Sequence, residues 1–78
     1  MMDIYKVFAA NVRKYRNQMD LSQEAFAENA KLHRTYISAV ETGKRSISLG
    51  NIQKIAGALG VPVYKLFVEE STNHERTN

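Results

Sequence analysis

Residues 21–43 constrain this chain most, because they carry two short apolar sets whose helical phases do not join. In the first, Ala25, Phe26 and Ala30, with Ala27 beside them, recur at helical spacing behind Ser22, a residue type that caps helix N-termini. In the second, Leu32, Tyr36, Ile37 and Val40 begin a new phase after Lys31, and Gly43 is placed to end it. Two helices of about two turns each, separated by about three or four residues, must fold across one another.

Such a pair is a helix-turn-helix, and its geometry suits DNA. A helix about 10 to 12 Å across fits the major groove, where each base pair shows its own pattern of donors and acceptors. The second helix turns Ile37 and Val40 inward, which leaves Arg34, Thr35 and Ser38 outward near its start, a long bidentate donor with two short hydroxyls. Tyr36 fits either a DNA contact, at the backbone or at a flexible base step, or packing against the first helix of the chain. His33 caps the reading helix or touches a phosphate. The first helix of the motif crosses the DNA backbone, so Gln23 at its positive end is placed to hold a phosphate.

The flanking segments are helical as well. From Asp3 to Met19, the residues Ile4, Val7, Phe8, Val12, Tyr15 and Met19 recur at three- and four-residue intervals without Gly or Pro, with Asp3 as cap and Arg13, Lys14 and Arg16 in the last turns. Ser48 caps a further helix that faces the core with Leu49, Ile52, Ile55, Ala56 and Leu59 and ends at Gly60. Pro62 opens a fifth helix carrying Val63, Leu66 and Phe67, with Tyr64 and Val68 widening its apolar surface. One small core cannot absorb all of these, so Val63, Tyr64, Leu66 and Phe67 are expected to pair two copies of the chain. The expected architecture is all-α, a compact five-helix domain over residues 1–70 followed by a disordered tail over residues 71–78.

Composition narrows the function. Seventy-eight residues make one small domain. Residues 1–68 hold ten Lys or Arg against five Asp or Glu, so the folded part is basic, as a polyanion partner requires. Cysteine is absent and His33 and His74 are the only histidines, so no nucleophile-base pair, metal cluster or cofactor site assembles, and no small-molecule ligand is expected. No apolar run approaches the about 20 residues of a membrane span, and Met1-Met2-Asp3 begins no signal peptide; the expected location is cytoplasmic, at the nucleoid.

Ser22-Gln23, Phe26-Ala27, Ile37-Ser38, Glu41 and Gly43, at these spacings, resemble the lambda-repressor and Cro-like family, also called the xenobiotic-response-element type. Leu32-His33-Arg34-Thr35-Tyr36-Ile37-Ser38, then Ile47-Ser48-Leu49, Asn51-Ile52, Lys54-Ile55-Ala56 and Ala58-Leu59, are similar to the controller proteins of restriction-modification systems. The chain departs from that pattern at Asp20 and Lys31, which stand in turns where Gly or Asn is more usual; a left-handed backbone there costs roughly 1 kcal/mol. The resemblance implies a homodimer on a pseudo-palindromic double-stranded operator, regulating restriction and modification genes by repression at some sites and by touching RNA polymerase at others, with Glu24 or Glu28 available for that touch. It implies an ion pair between Arg16 and Glu41, where the alternative leaves both in water, and phosphate contacts from Lys44, Arg45 and Ser48 beside Gln23 and His33. An antitoxin-type autorepressor or a bridging module of the same fold are the rival functions. A bridging module need not keep Gln23, Arg34, Lys44 and Arg45, whereas a DNA reader must.

Overall fold

A computed structural model of the protein describes residues 3–43 and 46–69. Among the described residues four α-helices follow one another, α1 (Ile4–Gln18), α2 (Gln23–Ala30), α3 (Arg34–Glu41) and α4 (Leu49–Leu59), and then a 3-10 helix, Val63–Phe67. The expected fifth α-helix is thus corrected to a 3-10 turn, which Lys65 N closes onto Pro62 O at 3.0 Å. Its shortness has a local cause. Asn11 Nδ2, on α1, donates to the carbonyls of both Leu66 and Val68 at 2.9 Å, so these oxygens serve a side chain instead of a further helical turn. Asn11 is only 4% exposed, and its two bonds fasten the chain's last described segment to its first helix.

Side-chain caps start every α-helix. Asp3 accepts from the amides of Tyr5 and Lys6, Ser22 from Ala25, His33 from Thr35 and Ser48 from Asn51. The turns use the backbone the sequence leaves them: Asp20 and Lys31 stand at φ 58° and 60°, left-handed despite their side chains. At Lys31 the return is secured by Leu32 N donating to Ala27 O at 2.9 Å, which closes α2 and redirects the chain into α3. Gly43, at φ 75°, lies so close to α1 that a Cβ there would sit 3.2 Å from Lys6 Cγ and 3.4 Å from Lys6 Cα.

Phe8 and Val12 of α1, Phe26, Ala27 and Ala30 of α2, Ile37 and Val40 of α3, Ile52, Ile55, Ala56 and Leu59 of α4, and Leu66 form one buried cluster. The expected α4 face is corrected at Leu49, which is 84% exposed because the first turn of α4 projects beyond the elements that cover Ile52 and Ile55. On α1, Ile4 and Met19 are also largely exposed, while Ala9 is buried in addition to Phe8 and Val12. No helix among the described residues is long and apolar enough to cross a membrane. The boundary at residue 70, the tail from 71 to 78 and the loop pair Lys44-Arg45 fall outside the described residues.

Candidate nucleic-acid interface

The core determines which side of α3 is left outside. Ile37 and Val40 are sunk in the cluster, so Arg34 and Thr35, on the opposite side of the first turn, are exposed, while Tyr36 and Ser38 are half-buried at the margins. Among the described residues Arg34 has no hydrogen-bond or ion-pair partner, so its guanidinium keeps its five donors for an outside acceptor. Thr35 is already engaged. Its backbone amide donates to His33 Nδ1 at 3.3 Å and its Oγ1 lies 2.8 Å from the same nitrogen, so the first turn of α3 is tied to its cap twice.

Tyr36 packs against the core, and its phenol oxygen accepts from Asn51 Nδ2 of α4 at 3.1 Å. Ser48 is exposed and its Oγ receives Asn51 N at 3.2 Å, so it acts as the cap of α4.

A buried polar hub locks the motif to α1. Glu41, only 4% exposed, accepts from Arg16 Nε at 2.7 Å and from Arg16 Nη2 at 3.0 Å, a bidentate fork, while Arg16 Nη1 donates to Leu21 O at 2.7 Å. The Glu41 hydrogen bond, and then its charge, raise the Arg16 guanidinium above its ordinary value against the opposing effect of burial. Gln23 joins the same hub, with Nε2 donating to Glu41 Oε1 at 3.1 Å, and this fixes the orientation of the amide at the start of α2. Arg13 Nη1 closes the end of α3 by donating to Glu41 O at 3.0 Å. Nothing in its sequence position marks Arg13 for this role, whereas Asn11 is marked by interrupting an apolar stripe between Phe8 and Tyr15.

The expected pairing surface divides. Leu66 is 0% exposed and is corrected from interface to the core of a single chain, while half-buried Phe67 stacks on Phe8 with ring centroids 5.2 Å apart. Their burial follows from Asn11, which draws the 3-10 helix against α1. Val63, Tyr64 and Val68 remain outside, Tyr64 at 65% exposure.

Residues 12–66 match the family described as Helix-turn-helix. Control protein C.SmaI of Serratia marcescens is 44% identical over 75 residues, which cover 96% of this chain and 89% of that protein. Among solved structures, the restriction-modification controller protein C.AhdI from Aeromonas hydrophila is similar with TM-score 0.78 and 40% identity, covering 81% of this chain and 96% of that one. A hypothetical transcription factor from Neisseria, NHTF, gives TM-score 0.86 and 43% identity over 90% of this chain and 79% of its own.

Proposed function

This chain belongs to the helix-turn-helix family and is closely related to control proteins of restriction-modification systems, and from that premise we propose that it regulates such genes by binding a pseudo-palindromic operator as a homodimer. The observation that carries the reading is Arg34, an exposed guanidinium without a partner among the described residues, on the first turn of a helix whose other side is anchored in the core. A guanidinium so placed matches the O6 and N7 acceptors of guanine in the major groove. Thr35 and Ser38 flank it, Tyr36 stands at the margin, and Gln23, His33 and Ser48, with Lys44 and Arg45 by their place in the sequence, hold the phosphates that fix the register.

Val63 and Tyr64 form the contact between copies, with Val68 beside them. A two-fold dimer sets the two α3 helices about 34 Å apart, one turn of DNA, so the operator has two inverted half-sites. Exposed Glu24 and Glu28 on α2 lie away from the core and supply the contact to RNA polymerase where the protein activates, and the protein works at the nucleoid in the cytoplasm. Selection from a pool of randomised duplexes tests the function: the enriched sequences should contain inverted half-sites one helical turn apart. Enrichment of no sequence over the starting pool would reject it.

A further inference from the structure

Asn11 lies buried on α1, and its Nδ2 donates to Leu66 O and to Val68 O, each at 2.9 Å. Both acceptors are carbonyls, so the amide turns its nitrogen toward them and spends both of its protons there. The segment held in this way carries Val63, Tyr64 and Val68, the apolar residues left outside the core and proposed to pair two copies. The same helix holds the reading element. Arg13 and Arg16 follow Asn11 by two and five positions, about 3 and 8 Å along the helix axis, and grip Glu41 at the end of α3 by its carbonyl and its carboxylate. Thus α1 is a short strut with the pairing segment fastened to one part of it and α3 to the next. Apolar packing of Leu66 and of Phe67 on Phe8 would keep the segment close to α1, but such packing is non-directional; two hydrogen bonds from one nitrogen to carbonyls two residues apart fix where along α1 the segment sits.

We propose that Asn11 is a positioning residue for operator geometry: by fixing the pairing segment on α1 it sets the distance and rotation between the two α3 helices of a dimer, and with them the half-site spacing that the protein accepts. One base pair more or less between half-sites moves a half-site by about 3.4 Å along the duplex and turns it by about 35°, so either the duplex or the dimer must deform. The Asn11 attachment lies on the path between the two reading helices twice, once in each chain. Reaching a misspaced operator then costs these bonds, and a chain without them accepts it more readily. This inference rests on the dimeric, DNA-reading function proposed above, and it gives a part in operator choice to a buried residue that need touch neither DNA nor the other copy.

The test uses the full chain and duplexes built from the half-sites that the wild-type protein selects from a randomised pool, spaced as selected or with one or two base pairs added or removed between them. Binding is compared for wild type, Asn11→Ala, Asn11→Ser and Phe26→Leu, the last a core change in α2 that lowers stability without touching the strut, and sedimentation equilibrium gives the fraction of dimer for each. Both Asn11 variants should lower the penalty for a misspaced duplex by roughly two- to tenfold for each bond released, the range one hydrogen bond supplies, while Phe26→Leu keeps the wild-type profile. If Asn11→Ala fails to fold, Asn11→Ser carries the comparison, and the wild-type protein supplies a further reading: the Asn11 side-chain amide protons should exchange with solvent at least about tenfold more slowly than those of exposed Asn17. An Asn11 amide that exchanges as fast as that of Asn17 would overturn the inference, as would Asn11 variants that weaken every spacing alike or keep the wild-type profile, or a wild-type dimer that binds all spacings equally. A wild-type protein that stays monomeric or selects no inverted half-sites would reject the proposed function itself and this inference with it.

Discussion

Glu41 receives both arms of Arg16 and the Gln23 amide through its carboxylate, with 3% of its side chain exposed against 11% for Arg16. Replacing it with Ala strands a buried guanidinium, and removing one partner of such a pair costs about 3 to 5 kcal/mol. In a domain this small that lowers the melting midpoint by more than about 10 °C, which scanning calorimetry will read directly. An unchanged midpoint would mean that the pair contributes nothing net. Because the folded state holds the Arg16 group above its ordinary value, its contribution is fully present at every pH below the unfolded-state value and is lost only as pH rises through the folded one. Stability should therefore show no alkaline decline from Arg16 across the neutral range, as melts at stepped pH will check. From the residues alone, Arg16 had no mark to separate it from Arg13 and Lys14; only the resemblance singled it out. Caps were easier, since Asp3, Ser22 and Ser48 stand directly before apolar repeats and need no tertiary information.

At the scale of elements, helix phase was legible and burial at helix ends was not. Leu49 lies three residues before Ile52 and so shares its stripe, yet a stripe does not tell where the neighbouring helices stop, and Leu49 is left 84% exposed among the described residues. The last element was misread for a related reason. Its apolar residues were visible, but the two carbonyl bonds from Asn11 that shorten it and turn Leu66 inward arise from a contact 55 positions away. Two substitutions separate the roles that the sequence had merged. Leu66→Ala should open a cavity in the core and cost about 2 to 5 kcal/mol in denaturant titrations, whereas Tyr64→Glu should leave the fold intact and weaken dimerisation by roughly tenfold or more in sedimentation equilibrium. A Tyr64→Glu protein that unfolds, or that associates as wild type does, would place the contact between copies elsewhere.

For the whole molecule, one rigid core aims a short helix outward, and the charge around it does the rest. Lys44 and Arg45, which follow Gly43 in the sequence, are assigned to phosphates by their sequence position, so Lys44→Ala should weaken binding to all duplexes alike and lower the magnitude of the log-log salt slope by about one per lost contact, counted twice in a dimer. An unchanged slope would remove that contact. The central claim, that α3 reads bases and that Arg34 is its principal reader, is tested most directly by titrating wild type and Arg34→Ala against the selected operator and a scrambled duplex at several salt concentrations. Arg34→Ala should lose roughly 1 to 3 kcal/mol per half-site on the operator and little on the scrambled duplex, with the salt slope nearly kept. Equal weakening on both duplexes would contradict it, because Arg34 would then be holding the backbone and the sequence would be read elsewhere.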